Sequence, residues 1–384
     1  MKNTLKNLSI TGFVASTFFV APAVSAADLF NLTISSYGSI ADDANPFNAA
    51  ARSVIDTAVG ELETQINSNF PDIDLDPFTK STAKAAGVSP SGVGIDYASD
   101  FGFGYIAANI AIASGATVGE IKDLATPPAD LTKIGKVGLG GSIALTLGLS
   151  FKHLPKIPVF GDIFEPSRTR GYLSFYKGGK EFASEDATQP SFAITNSIFS
   201  AHGQYKLVEG MSVGLGTFKW GGVDVSGGLR YSKSAVSLSQ PLSGLSSTAL
   251  DLGGGLGNVT AEFTGDAVVS VNTSTFSIPL EVSTSTRLLH VLGLFLGTGL
   301  DLNFGSAKSG LSIASPVTFE NNLISGVTAQ ADANLNATGK PTFTNLKYFA
   351  GVQFEILAIA ISAQFTGSLL DSGKAINVGA KLFW

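Results

Sequence analysis

Residues 376–384, Ile-Asn-Val-Gly-Ala-Lys-Leu-Phe-Trp, end the chain in an alternating pattern. One set of alternate positions is apolar and consists of Ile376, Val378, Ala380, Leu382 and Trp384. Successive side chains of a β-strand point to opposite faces, so this strand has one apolar face and one face that is mostly polar or small. The pattern predicts a strand whose apolar face lies in lipid. A C-terminal edge strand of a soluble β-sandwich is the alternative interpretation.

The same stretch resembles the C-terminal assembly signal of Gram-negative outer-membrane β-barrel proteins. Those proteins end in Phe or Trp, with apolar residues at alternate positions before it. The resemblance covers only the last strand. It implies an outer-membrane location, with outer-membrane lipid, the barrel-assembly machinery and periplasmic chaperones as partners.

The first residues have the pattern of a secretory signal peptide. Lys2 and Lys6 supply positive charge, 10–20 is an apolar stretch, and small residues follow it up to Ala26. We predict cleavage between Ala26 and Ala27. The apolar stretch is too short to remain as a membrane-spanning helix. The sequence therefore predicts an exported protein with a signal peptide over 1–26.

Composition narrows the possible folds. The chain has no Cys, 44 Gly and only 14% charged residues, with a mean hydropathy of +0.29. No disulfide or thiolate metal site is possible, and a net charge of −6 disfavours nucleic acid as a partner. No run of 18 apolar residues follows the signal peptide, and 101–119 is the nearest rival for a spanning helix. Lipid offers no hydrogen-bond partner to backbone amides, so a chain that spans the membrane must pair all of them internally. An apolar exported chain without spanning helices therefore points to a closed barrel.

Alternating segments recur along the chain. The clearest cover 137–149, 292–304 and 359–366, where apolar residues alternate with Gly, Ala, Ser, Thr, Asp and Asn. A soluble strand with such small residues on its inner face would leave its core nearly empty, whereas a barrel wall places the apolar set in lipid. With weaker candidates between them, these segments predict an all-β, transmembrane, antiparallel up-and-down β-barrel of about 14 strands, within roughly 12–16.

An amphipathic helix precedes the first convincing strand. Pro46 suits the first helical position, and Pro71 ends the pattern. Its apolar stripe includes Val54, Ile55, Val59, Leu62 and Ile66. We expect 27–89 to form an N-terminal extension and 90–384 to form the barrel. The helix either plugs the lumen or lies in the periplasm, and the regular stripe favours docking on the barrel.

Motifs for chemistry are weak. The run Asp72-Ile-Asp-Leu-Asp76 mimics a calcium loop, but Pro77 and Ala83 stand where its glycine and bidentate glutamate belong. Only three histidines exist, at 153, 202 and 290, without a nucleophile elbow. We expect no enzyme, no cofactor and no catalytic or metal residue, although sequence alone does not exclude a barrel lipase or protease.

Two functional hypotheses follow. The inward small residues leave a lumen unless the helix closes it, which suggests a channel or transporter for small or hydrophobic solutes. In architecture the chain is similar to FadL-type transporters of hydrophobic compounds, although Phe47 and a long helix replace their short hatch, so no ligand residue carries over. The alternative is a surface-exposed adhesin or interaction barrel with a closed lumen. A soluble exported β-sandwich is the third interpretation.

Overall fold

The computed structural model describes residues 30–42, 46–69, 75–93, 95–98, 102–115, 138–153, 165–182, 191–214, 217–241, 249–251, 258–320 and 326–384. Within these ranges the chain has two α-helices, α1 (Pro46–Asn69) and α2 (Leu75–Val88), and single 3₁₀ turns at Gly38–Ile40, Phe151–His153 and Pro166–Arg168. The strands are β1 (Phe30–Tyr37), β2 (Gly104–Ser114), β3 (Leu139–Ser150), β4 (Thr169–Phe182), β5 (Ser191–Val213), β6 (Phe218–Pro241), β7 (Ala249–Asp251), β8 (Asn258–Phe263), β9 (Asp266–Leu288), β10 (Leu292–Glu320), β11 (Val327–Gly339), β12 (Thr344–Ile356), β13 (Ile359–Ser368) and β14 (Lys374–Phe383).

All the described strands belong to one antiparallel sheet, which confirms the all-β class. Ten of them form a ring in the order β10, β12, β13, β14, β2, β3, β4, β5, β6 and β9, and β9 pairs with β10 to close it. Neighbours in the ring are mostly consecutive in sequence, as alternating strands joined by hairpins require. The predicted last strand pairs with β13 on one side and β2 on the other.

The ring has fewer strands than the predicted count of about 14, because some predicted strands are parts of longer ones. β10 is continuous from Leu292 to Glu320 and joins the predicted strand at 292–304 to one of the weaker candidates, at 311–313. β5 likewise runs through 208–210, where Glu209-Gly210 suits a tight turn, and joins the weaker strand candidates at 192–207 and 211–218. That position instead has a register shift between Lys206 and Val208. A bulge bends a strand without ending its pairing.

A sheet extension continues from one end of the ring. The first half of β10, Leu292–Leu302, pairs with β12, whereas its second half, Ala307–Phe319, pairs with β11. β1 adds to the outer edge of β11. The second half of β10, β11 and β1 therefore form a sheet outside the ring, and we refer to them as the sheet extension.

The helix predicted from the apolar stripe is α1, and it packs on the sheet extension. Ile55 and Val59 are buried there, together with Ala51 and Ala58 of the same face, and Val54 packs beside them. The side chains of Leu62 and Ile66 lie outside the described residues, as do the signal peptide and its predicted cleavage site at Ala26 and Ala27. β1 and α1 together make up what we call the N-terminal module.

The helix inside the ring is α2, which the sequence analysis did not predict. α1 does not take this position, since its branched apolar residues need an apolar partner that the polar interior does not provide. α2 is built from small residues and is buried along most of its length, including Thr79, Ser81, Ala83, Ala85 and Ala86. No helix of the described residues is both long and apolar enough to cross a membrane.

Candidate functional site

The outer face of the ring is apolar and exposed. Large side chains stand outward at alternate positions of every strand of the ring, and their exposed fractions reach 66% at Ile112 and 60% at Leu296. Others in this outer belt are Ile106, Ile110, Leu145, Leu173, Leu229, Leu280, Val352, Ile359, Ile361, Ile376, Val378 and Leu382. Monomeric soluble proteins rarely expose a continuous apolar patch of this size.

An aromatic row edges this belt on five neighbouring strands. Phe175, Phe199, Tyr231, Phe276 and Phe304 are register partners, each paired with the next across β4, β5, β6, β9 and β10. The rings of Phe276 and Phe304 are 6.2 Å apart, and Phe343 packs edge-on against Phe304 at 5.2 Å. Aromatic side chains concentrate at the boundary between a membrane and water.

Beyond the aromatic row the pattern of the wall inverts. On β10 the outward residues change from Leu294, Leu296 and Phe304 to exposed Lys308 and Ser312, while apolar residues such as Leu311 become buried. β4 and β6 change in the same way, from Phe175 and Tyr231 to exposed Lys177 and Lys233. The wall is thus apolar outward on one side of the row and polar outward on the other. From Leu292 to Phe304, at about 3.3 Å per residue and a tilt of about 40°, β10 spans roughly 30 Å, the thickness of a bilayer core.

The inner face of the ring is polar and buried. Its buried side chains include Asn109, Thr146, Ser174, Ser200, His202, Gln204, Arg230, Glu281, Asp301, Asn345, Lys347, Gln353, Gln364, Asn377 and Lys381. Polar groups inside and apolar groups outside are the reverse of the arrangement in a soluble domain. The sequence pattern on the last strand follows it, since Ile376, Val378, Ala380 and Leu382 are exposed whereas Asn377, Gly379 and Lys381 are buried.

The two ends of the ring differ. We call the C-terminal rim the end that carries Trp384 and the tight turns at 289–291 and 357–358. Here Trp384 is half exposed and its backbone pairs with Gly104, the first residue of β2. The far rim is the opposite end, which carries the turn at 369–373 and leads into the sheet extension.

Glycines on the inner face make the seat of α2 near the far rim. A Cβ on Gly138 would overlap the backbone of Thr82, and one on Gly140 would lie 3.1 Å from the carbonyl carbon of Ala85. Gly138 N–H also donates to Ser81 Oγ at 2.8 Å. The small inward residues that the sequence analysis read as open lumen are therefore where the helix fits.

Residues 89–93 and 95–98 continue from α2 through the ring, and with α2 they form what we call the threading segment. Ser89 O accepts a hydrogen bond from Ser142 Oγ at 3.1 Å, and Val93 packs in a cluster with Ala111, Ala144 and Ile198. At the C-terminal rim, Ala98 O accepts a hydrogen bond from Arg287 at 3.3 Å. The segment thus enters at the far rim and reaches the C-terminal rim.

Buried ion pairs and hydrogen bonds fix the threading segment to the wall. Asp96 pairs with Lys381, Oδ1 to Nζ, at 3.2 Å. Tyr97 donates to Glu281 Oε2 at 2.6 Å, and its ring stacks on Phe295 with centroids 5.3 Å apart. These contacts hold the described part of the segment against the inner wall on several strands.

Lys347 organises two of the carboxylates that hold the segment. Its Nζ lies 2.6 Å from Glu281 Oε1 and 2.7 Å from Asp301 Oδ1, and all three side chains are at most 1% exposed. Glu281 accepts from Tyr97, and Asp301 Oδ2 accepts from Ser91 Oγ at 3.4 Å. A buried charge needs such pairing to offset its desolvation.

A cleft at the C-terminal rim is mainly basic. Residues that line it include Tyr97, Arg170, Lys206, Lys219, Asp224 and Arg287. Lys206 Nζ donates to Gly221 O at 2.8 Å, and Arg287 pairs with Glu355 at 3.0 Å. The four cations outnumber the two carboxylates, Asp224 and Glu355, so the electrostatic potential in the cleft is positive.

The histidines do not come together. His202 is buried inside the ring, His290 lies in an exposed turn at the C-terminal rim, and His153 is beside Phe103 with ring centroids 6.2 Å apart. In the described ranges no group of three or more His, Cys, Asp or Glu residues is arranged to hold a metal ion. Asp76 of the calcium-like run lies in the first turn of α2, and Asp72 and Asp74 lie outside the described residues.

Sequence reasoning missed the polar cluster around Lys347. Its members are far apart in the chain, and single charged residues between small ones carry no motif. One signal was present, since Glu281, Asp301, Lys347 and Lys381 all occupy inward positions of alternating strands.

The residues 34–384 match the model of the Lsa36-like family, so the chain belongs to that family. No curated protein is a significant match.

Several solved structures are similar over most of the chain at low identity. The translocator domain of autotransporter NalP from Neisseria meningitidis is 11% identical, covering 74% of this chain and 90% of that chain, with a TM-score of 0.28. The Ralstonia pickettii toluene transporter TbuX is 8% identical over 80% and 98%, with a TM-score of 0.24. The Acinetobacter baumannii outer membrane protein Omp33 is 9% identical over 76% and 100%, also at 0.24. At these TM-scores the likenesses carry no argument about function.

Proposed function

We propose that this protein is an outer-membrane β-barrel of a Gram-negative cell, with a gated lumen that passes small polar solutes. The observation that carries the proposal is the inverted wall: a ring with an exposed apolar belt outside, an aromatic row at its edge, and buried charges inside. Such a surface is favourable only in lipid, and a closed ring leaves no strand edge unpaired there.

The polar interior supports a polar solute over a hydrophobic one. Sequence alone allowed small or hydrophobic solutes, but inward groups such as Arg230, Gln204 and His202 suit a polar one. Among the described residues, the terminal nitrogens of Arg230 have no hydrogen-bond partner, although the side chain is only 1% exposed. Together with the basic cleft at the C-terminal rim, this favours small anions over cations.

The gate is the threading segment. It fills the ring while Asp96 and Tyr97 hold their partners, so passage of solute requires these contacts to break. Polar contacts can exchange with water or solute inside a lumen at little net cost, whereas an apolar plug would not release as easily. The proposal includes no enzymatic activity, and its partners are outer-membrane lipid, the assembly machinery and periplasmic chaperones.

A disulfide across the gate tests this function. A Cβ on Gly373 would lie 3.0 and 3.4 Å from the two Cγ atoms of Val88, which is close enough for a Val88→Cys, Gly373→Cys bridge. The chain has no other Cys. In planar bilayers we expect the native protein to conduct, the oxidised double variant to be silent, and dithiothreitol to restore conductance.

The single variant Val88→Cys, oxidised in the same way, is the control and should conduct throughout. Absence of conductance in the native protein and in the reduced double variant contradicts the channel.

A second candidate is an interaction barrel with a permanently closed lumen. The observation that favours it is the filled interior, together with a sheet extension that stands beyond the aromatic row. This candidate predicts a folded, detergent-extracted protein that never conducts, and unchanged solute uptake in a deletion strain.

A further inference from the structure

The threading segment connects two parts of the chain that lie at opposite ends of the ring. On one side of it is the N-terminal module, and on the other is β2, which begins at Gly104 on the C-terminal rim. The contacts follow the ring in order: Ser81 with Gly138 at the far rim, Val93 in the middle, and Ala98 with Arg287 at the C-terminal rim. The ring strands pair on both sides around this segment, so the chain passes through the ring and not around it.

The N-terminal module lies beyond the aromatic row. β1 is the edge strand of the sheet extension and α1 packs on that sheet, where β10 has buried apolar residues, such as Leu311 and Ile313, and exposed polar ones, such as Lys308 and Ser312. A polar outer surface over a buried apolar face is the arrangement of a protein surface in contact with water. If the belt is in the membrane, the module is in the aqueous phase on the side of the far rim.

The C-terminal rim has the features of a periplasmic end. At this rim tight turns join β9 to β10 at 289–291 and β12 to β13 at 357–358, and the β3–β4 connection has its two 3₁₀ turns, Phe151–His153 and Pro166–Arg168. At the far rim are the turn at 369–373 and the long continuations of β5, β6, β9 and β10. Outer-membrane barrels have short turns on the periplasmic side and longer loops outside. Leu357 of the periplasmic turn and Glu61 of α1 therefore face opposite compartments.

We infer that the protein carries its own N-terminal module through its ring and displays it on the cell surface. This inference rests on the proposed membrane-spanning barrel but not on conductance. An exported chain starts in the periplasm, so the module reaches the far side only if the threading segment is drawn through the ring or enclosed by it as the ring closes. α1 finds its apolar partner, the sheet extension, only after that crossing. Packing there then holds the module outside.

Single cysteines on the Cys-free chain test the topology directly. We choose Glu61→Cys in the module, Leu357→Cys in the turn at the C-terminal rim, and Lys308→Cys on the outer surface of β10 beyond the aromatic row. All three side chains are exposed, and Leu357 is 95% exposed, so the substitutions leave the packing intact. Intact cells are treated with a membrane-impermeant maleimide, before and after the outer membrane is permeabilised.

We expect Glu61→Cys and Lys308→Cys to react in intact cells, and Leu357→Cys to react only after permeabilisation, with at least a tenfold rise. Labelling of Lys308→Cys but not Glu61→Cys in intact cells overturns the display of the module while leaving the barrel in place. A protein that fractionates as soluble, with all three positions equally protected, overturns the membrane barrel and the inference with it.

Discussion

Lys347 and Glu281 face each other inside the ring, with Nζ and Oε1 2.6 Å apart and neither side chain more than 1% exposed. The pair joins β12 to β9, the two strands that flank β10 in the ring. Glu281 in turn accepts the hydroxyl of Tyr97 on the threading segment. One cation of the wall therefore positions the carboxylate that holds the threading segment.

Replacement of Lys347 by Met should destabilise the ring and loosen the gate. The substitution leaves Glu281 and Asp301 buried without their cation, and loss of one partner of a buried pair costs about 3–5 kcal/mol. We expect a lower free energy of unfolding, measured by urea titration in phospholipid vesicles, and more frequent openings in bilayers. Lys308→Met, on the exposed face of β10, is the matched control and should behave as the native protein. Equal stability of the two variants would show that the buried cluster does not hold the ring.

The outer belt should be sensitive to charge in a depth-dependent way. Leu296→Arg places a charge in the middle of the lipid face and should cost about 2–4 kcal/mol, whereas Ser312→Arg, beyond the aromatic row on the same strand, should cost almost nothing. Unfolding in vesicles measures both. A ring surrounded by water would tolerate both arginines equally, and that result would contradict the proposed membrane location of the belt.

The strands with alternating patterns could be predicted from the sequence, because the outward side chains of these strands are apolar. β3, β13 and β14 lie close to their predicted positions, and Ile376 and Val378 are outward as the pattern indicates. The number of strands could not, because the length of β10 depends on two different partners, β12 and then β11. The apolar residues of β10 change from even positions, up to Phe304, to odd positions, from Leu311 onward, and in the sequence this change looks like the end of one strand and the start of another.

The threading segment is harder to predict, for a physical reason. α2 lies against glycine-rich walls on several sides, so its buried face consists mostly of small residues such as Thr79 and Ala85 and lacks the run of branched apolar residues that marks α1. α1 has a stripe because one side of it meets an apolar sheet. Periodicity therefore identified the helix outside the ring, and the glycines that make room for α2 were interpreted as empty lumen.

Gly138 should tolerate no side chain. A Cβ there meets the backbone of Thr82, so Gly138→Ala must displace α2 or the end of β3, at a cost of about 1–3 kcal/mol. We expect a lower free energy of unfolding and easier proteolysis within 75–98. Gly203→Ala is the control, since a Cβ at Gly203 meets nothing within 4 Å. A fully stable Gly138→Ala variant would mean that α2 is not seated tightly against the wall.

The attachment of α1 to the sheet extension should depend on its buried face. Ile55 is 3% exposed in the cluster with Leu311 and Ile313, and truncation of such a side chain costs about 2–5 kcal/mol. Ile55→Ala should therefore raise amide exchange throughout 46–69, measured by hydrogen exchange and mass spectrometry, while the belt strands keep their protection. Glu61→Ala, on the exposed face of the same helix, should leave exchange unchanged. If Ile55→Ala also raises amide exchange in the ring strands, the module and the ring unfold as one cooperative unit. β10 would then transmit the destabilisation, because it belongs both to the sheet extension and to the ring.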